Sequence, residues 1–334
     1  MNDFSKDTAI DIVIPWVDGN DPAWQAEKAK FSNSTGDNRA IRYRDWDNLQ
    51  YVFRGIEKFL PWVRTVHFIT WGHLPAWMNP DCPKLHIVNH KDYIPVEYLP
   101  TYNSHVLELN MHRIEGLAEN FIYTNDDIYF LRPIASTEYF QDGKPVDTAI
   151  QNVLQFHRRD GIDHIVANDL ICLNQNFQKK QCIRANRKNW FSSNYGVGGL
   201  QNLYLMPLAN FTGFVDYHMP NAYAKHTFEE VWAKESEILK ETSAHKVRTS
   251  ADVSQWLMRY WQLAKGDFVP GKPNKGQLFA IGEQDAEIED AILHQKYNAI
   301  CLSDDDPNLD FEKEKRIIQE LLQKILPEKS SFER

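Results

Sequence analysis

The chain has 334 residues, 43% of them hydrophobic and 25% charged, with a net charge of −9. That balance fits a folded globular protein and argues against a nucleic-acid binder, which needs a basic face. The four cysteines, Cys82, Cys172, Cys182 and Cys301, lack CxxC spacing, and no apolar run approaches the ~20 residues of a membrane span. Met1–Lys6 has no secretory pattern. These features lead to an expectation of reduced thiols in a cytoplasmic protein, with any membrane association peripheral. The ten tryptophans are expected mostly in the core, with some rings free to stack on sugars.

In chain order, the apolar run Ile10–Val17 ends in Asp18-Gly19-Asn20-Asp21. Leu49, Val52, Phe53, Ile56, Phe59 and Leu60 form a helical stripe that Pro61 stops. Thr65–Thr70 and Leu85–Val88 read as strands, followed by Trp71-Gly72-His73 and Asn89-His90-Lys91-Asp92. A second stripe, Val106, Leu109, Ile114 and Leu117, precedes the strand Asn120–Thr124, which runs into Asn125-Asp126-Asp127. Strands that alternate with helices imply a Rossmann-like sheet. Polar clusters beyond the carboxyl ends of its strands imply one shared pocket.

Residues 151–215 are less regular, with Gly196, Gly198 and Gly199 marking a turned loop. Beyond them the chain becomes helical. One amphipathic helix is expected over His226–Lys240. Another is expected after an N-cap at Ser250, ending at Gly266. Residues 267–298 read as irregular, and a last helix runs from about Phe311 to Leu326. The expected division is a nucleotide-sugar-binding α/β unit over 1–150, a variable acceptor-side segment over 151–215, and a helical part over 216–334 that completes one catalytic domain.

Asp126 and Asp127 are the first chemical candidates. Adjacent carboxylates at the mouth of a buried strand repel unless a cation neutralises them, and a hard divalent ion shared with phosphates does so. Asp18, Gly19 and Asp21 form either a tight turn or part of the same pocket, and Trp16 is either a stacking platform or core. His218 is a general acid or base candidate. His245-Lys246-Val247-Arg248, ahead of the expected Ser250 cap, suggests an anion site with Arg248 as phosphate ligand. His105, Glu108 and His112 share a helical face that could hold a metal but lacks HExxH spacing, so a buried polar network is the expected role. Lys179, Lys180, Arg184, Arg187 and Lys188 read as a solvated loop, or else as a contact with an anionic membrane surface or a phosphate-bearing acceptor.

Together these segments resemble the Stealth family of sugar-phosphate transferases, which includes bacterial capsule polymerases. The resemblance lies in Ile10–Asp21, then in Arg44-Asp45, Pro61–Arg64, Ile69–Gly72, Leu99–Ser104, His112–Leu117 and Phe121–Asp127. It continues in His218-Met219-Pro220, His245–Arg248 and Ser250–Asp252, and in Cys301–Asp305. It implies an α/β fold with a glycosyltransferase-A-like central sheet flanked by helices and a helical C-terminal part. It also implies transfer of a hexose or N-acetylhexosamine 1-phosphate from a UDP-sugar to a sugar hydroxyl of a growing, lipid-linked bacterial surface polysaccharide, with release of UMP.

On that reading Asp126 and Asp127 hold Mg2+ or Mn2+, and Asp127, His218 and Arg248 are catalytic. His218 serves as base or as phosphate stabiliser. Trp16, Asp18, Gly19, Asp21, Arg44, Arg113, Asn125, Asp252 and Asp304 bind substrate. The enzyme would work in the cytoplasm, peripheral to the inner membrane face. The rival readings are a metal-dependent glycosyltransferase that releases UDP and a non-enzymatic carbohydrate-binding protein.

Overall fold

The computed structural model describes residues 9–31, 44–157, 161–273, 276–304 and 306–334. Its strands are β1 (Ile10–Pro15), β2 (Val66–Thr70), β3 (Leu85–Asn89), β4 (Asn120–Tyr123), β5 (Ile128–Phe130), β6 (Phe140–Gln141), β7 (Lys144–Asp147), β8 (Asn221–Ala224), β9 (Val269–Pro270), β10 (Gln277–Ala280) and β11 (Ala299–Ser303). The central sheet has the order β3-β2-β1-β4-β8. Its first four strands are parallel, and β8 joins β4 antiparallel. This is an α/β fold with a Rossmann-like sheet flanked by helices.

The sheet is buried on both faces, so its strands are almost continuously apolar. In β1, Ile12 and Ile14 pack against the helix Leu49–Phe59, while Val13 faces the opposite core with Ile69, Val106 and Phe121. The one charged residue of β1, Asp11, is fully buried. It takes two hydrogen bonds from Arg64, at 2.8 and 2.5 Å, one from the Ala118 amide at 2.8 Å, and lies 3.0 Å from His67 Nε2. A buried carboxylate is tolerable only when compensated in this way. Gly55 lets the helix Leu49–Phe59 approach β5: a methyl group there would stand 3.1 Å from the Phe130 carbonyl oxygen.

Several local expectations change. The second helical stripe is broken: the helix Ser104–Leu109 gives way at Asn110 to a 3-10 turn over Met111–Arg113. The expected helix over His226–Lys240 is two helices, Lys225–Lys234 and Ser236–Ala244, parted at Glu235. The helix expected after Ser250 begins at Trp256, and Ser250 is not its cap. Residues 267–298 are not irregular, for they contain β9, β10 and the helix Asp285–Leu293. The helical C-terminal part therefore also supplies strands, and β10-β11-β5 form a second sheet. The basic cluster 179–188 is not a loop. It lies on the helices Lys179–Ala185 and Arg187–Trp190, with Lys179 buried. All four cysteines are free and buried.

Candidate active site

Strand register explains how distant residues meet. β8 runs antiparallel to β4 with Tyr123 opposite Asn221. The chain leaving β4, Asn125–Asp127, and the chain entering β8 through His218 therefore lie at the same end of the sheet. β11 pairs with β5 so that Cys301 stands opposite Ile128, which brings Cys301 beside Asp127. Donor atoms of Asp127, His218 and Cys301 all lie within 4.8 Å of one another. The Asn125 amide nitrogen is 3.5 Å from His218 Nε2.

Asn125, Asp127 and His218 line a cleft of about 590 Å³, with Cys301 buried behind them. Trp16, Asp18, Gly19, Arg44, Asn125, Asp126, Asp127, His218, Arg248 and Asp304 all contribute to its wall. Asp21, Arg113 and Asp252 are not in that wall. Asp21 caps the helix Pro22–Ala29, accepting from the Trp24 amide at 2.9 Å, and faces His73 Nδ1 at 3.3 Å. Arg113 lies over the Trp232 ring, 4.7 Å from its centroid, and donates to Asn110 at 3.0 Å.

Asp252 is the centre of a buried knot. It accepts from the Asn103 amide at 2.8 Å, from Thr249 Oγ1 at 2.8 Å and from the Thr249 amide at 3.1 Å. It also sits 2.7 Å from His245 Nδ1 and 3.2 Å from His105 Nδ1. Burial works against its charge, but the bonds with His105, His245 and Thr249 prevail and hold its carboxyl at about 2. The knot ties down the segment that presents Arg248. Of the cations expected there, Lys246 is spent on the carbonyls of Tyr98 and Leu99. Arg248 is half-buried and donates through Nε to Ser104 Oγ at 3.0 Å. Among the described residues no carboxylate pairs with it. A guanidinium held by a neutral hydroxyl keeps its charge available for an anion.

Around the acidic pair, Asp126 keeps contact with solvent and Asp127 is half-buried. Loss of water within the cleft, and then the charge of Asp127, push the Asp126 carboxyl up to about 7. Burial also raises Asp127, opposed by His218 and Cys301. Burial and the neighbouring Asp127 charge push the Cys301 thiol up, so it stays protonated. Asp127 Oδ1 is shut away from solvent with no hydrogen-bond partner among the described residues. An orphaned carboxylate oxygen beside a second carboxylate fits a divalent cation.

Elsewhere in the cleft, Trp16 is stacked on Phe68 with ring centroids 5.6 Å apart, so one side of the ring is committed to the core. The Asp18 amide donates to His73 Nε2 at 2.7 Å, and its carboxylate takes the Asn20 amide at 2.8 Å. Arg44 reaches Asp304 at 3.4 Å, joining the N-terminal and C-terminal walls. Asp305 lies outside the described residues. His105, Glu108 and His112 are buried. His105 faces Asp252 and Glu108 accepts from Tyr123 Oη at 3.1 Å, but His112 lies beyond the end of their helix, packs on Phe228 and Trp232 and keeps Nδ1 without a partner among the described residues, so the three do not form the single polar network expected.

Two supports escape a reading of the sequence alone. Ser104 holds Arg248, and no spacing announces it. Arg259, fully buried in the helix Trp256–Lys265, holds the loop that carries His218. It donates to both oxygens of Asp147 at 2.8 Å and to Asp216 at 2.5 Å, and Tyr260 also donates to Asp216. An arginine within an amphipathic helical stripe gives no sign of pointing inward until its two carboxylate partners are in place.

Similarity to known proteins agrees with the resemblance read from the sequence. Residues 8–36 match Stealth protein conserved region 1, and residues 42–147 match conserved region 2. The chain is 37% identical to a capsular polysaccharide phosphotransferase WcwK of Streptococcus pneumoniae, over 97% of this chain and 99% of that one. It is 35% identical to the exopolysaccharide phosphotransferase cps2G of Lactiplantibacillus plantarum, over 97% and 96%. Identity to the receptor polysaccharide phosphotransferase WefC of Streptococcus gordonii is 35%, over 97% and 98%. Among solved structures, the galactosyltransferase LgtC in complex with donor and acceptor sugar analogues aligns over 94% of this chain at a TM-score of 0.41 and 9% identity, too distant to bear on function. Near-complete coverage by the phosphotransferase relatives decides the family: the chain belongs to the Stealth family and is a phosphotransferase.

Proposed function

We propose that the chain transfers a hexose or N-acetylhexosamine 1-phosphate from a UDP-sugar to a sugar hydroxyl of a growing, lipid-linked surface polysaccharide. In the proposed reaction the acceptor oxygen attacks the phosphorus that bears the sugar. A new P–O bond forms, the bond to the nucleoside phosphate breaks, and UMP departs. The sugar C1–O bond is untouched, so the anomeric configuration is kept.

The observation that carries this reading is the pairing of opposite devices in one cleft. Arg248 offers an uncompensated guanidinium, and Asp126 with Asp127 offers an acidic pair with one orphaned oxygen. Phosphoryl transfer needs positioning and charge stabilisation more than covalent chemistry from the protein. Arg248 binds the phosphate oxygens and meets the charge that builds on them. His218 takes the proton of the acceptor hydroxyl. Trp16, Asp18 and Gly19 line the nucleotide side, and Arg44 with Asp304 closes it. A divalent cation, Mg2+ or Mn2+, held by Asp126 and Asp127 would add positive charge against the phosphates. The names of the relatives favour a polysaccharide acceptor, and no helix of the described residues is long and apolar enough to cross a membrane, which suits an enzyme at the inner face.

Phosphorus NMR of the product tests the proposal. With a UDP-sugar and an oligosaccharide acceptor, a phosphodiester coupled to the protons of both sugars is expected. A product without phosphorus would overturn it.

A further inference from the structure

The helix Gly199–Leu205 turns one side inward and leaves the other bare. Asn202 is buried and donates to the carbonyls of Ala149 and Trp190, at 2.7 and 2.6 Å. Leu200, Leu203 and Tyr204 point away, 64%, 52% and 84% exposed, and Val197 just before them is 87% exposed. Met206 and Leu208, which follow in sequence, are also exposed. A contiguous run of exposed large apolar side chains costs free energy in water and marks an interaction surface.

The surroundings of this row select its partner. From Leu170 to Val215 the sequence contains five Lys or Arg and no Asp or Glu, in a chain whose net charge is −9. Buried Lys179 donates through Nζ to the Leu205 carbonyl at 2.7 Å, which locks the basic helix Lys179–Ala185 to the end of the apolar one. Lys180, Arg184, Arg187 and Lys188 remain exposed. Apolar side chains flanked by cations are the mark of a surface that settles into the headgroup region of an anionic bilayer. The remainder of the protein carries the chain's net negative charge, which disfavours its approach to such a bilayer and favours this face.

The position relative to the cleft adds to this. The Gln151 amide bonds to Asn202 at 2.8 Å, and the segment that follows carries the exposed Val153 and Phe156. The helix Ile162–Asn176 then opens with Ile162, itself half exposed and lining the cleft.

We propose that the face built from Val197, Leu200, Leu203 and Tyr204, with the neighbouring cations, docks this enzyme on anionic phospholipid. Docking holds the cleft mouth near the bilayer, where an acceptor on a lipid carrier would be found. Binding to vesicles needs no turnover, so its failure is distinguishable from a failure of the proposed reaction.

The test is flotation of the purified full chain with vesicles of phosphatidylglycerol and phosphatidylcholine in equal parts, against vesicles of phosphatidylcholine alone. The mixed vesicles should capture the protein, and binding should weaken as salt rises. Leu200→Ser with Tyr204→Ser, and separately Lys180→Glu with Arg184→Glu, should each lower partitioning on the order of tenfold, with an unchanged melting temperature. The wild-type comparison of the two vesicle types decides the matter even for a variant that folds poorly. Equal capture by both vesicle types, or none by either, overturns the proposal. So does a dimer in gel filtration that the serine variant dissolves while wild-type vesicle binding is absent, which would make the face a contact between copies.

Discussion

Asp127 and His218 come within reach of each other because β8 lies antiparallel beside β4 and places their two loops at one sheet end. The acidic side chain follows a strand and the imidazole precedes one. Either residue is displaced if the register between Tyr123 and Asn221 slips.

Replacing Asp127 by Ala should therefore abolish the proposed cation site and leave the fold intact. Transfer should fall by about two to three orders of magnitude, the range seen when a preorganised charge-stabilising group is lost. Because like charges are relieved, the melting temperature of the metal-free protein should not drop. Calorimetry beside an activity assay checks both halves.

The Asp126 carboxyl, pushed up to about 7, fixes the sign of a pH effect. Its folded value exceeds the unfolded value of 3.8, so its contribution to stability is fully present below pH 3.8 and is lost as pH rises through about 7. Asp126→Asn should raise the melting temperature of the metal-free protein at pH 8 more than at pH 5. Protons compete with a cation for the same oxygens, so stabilisation by Mn2+ should be larger at pH 8 than at pH 6. Thermal shift across that range measures both.

Arg248→Ala should reduce transfer by orders of magnitude, and Arg248→Lys should recover only part of it, because an ammonium lacks the bidentate fork. Ser104→Ala, which removes the hydroxyl that orients Arg248, should cost roughly one order of magnitude or less. Steady-state kinetics on the three variants gives the ranking, and equal effects of all three would contradict it.

Asp252→Ala tests the knot behind Arg248. Its carboxyl sits at about 2 against 3.8 unfolded, a difference worth on the order of 2 kcal/mol. That stability is present above pH 3.8 and lost as pH falls through about 2. Denaturant melts at pH 7 should show the deficit, and activity should fall with it as Arg248 loses its seat.

Much of this was legible in the residues. Four apolar runs located the parallel strands, since buried parallel strands leave a strong continuous signal, but only the clusters after β1 and β4 line the cleft, and of those after β2 and β3 only His90 reaches it. Asp126 and Asp127 stood out because paired like charges at a strand end call for compensation. The second sheet was not legible: β10 is only four residues long and β5 only three, too short for a period to register. Asp21, Arg113 and Asp252 read as binding candidates by residue type and family position, and the structure seats them outside the cleft wall. An N-cap, an arginine over a ring and a buried acceptor share one alphabet with ligand-binding residues. Arg259 and Ser104 went unseen because their roles depend on contacts between segments distant in the chain.

The central claim is that phosphorus, not the sugar carbon, receives the acceptor oxygen. Incubation with a UDP-sugar and acceptor, followed by chromatography of the released nucleotide, tests it most directly. UMP appearing in step with product is the result expected here, and UDP in its place would contradict the account.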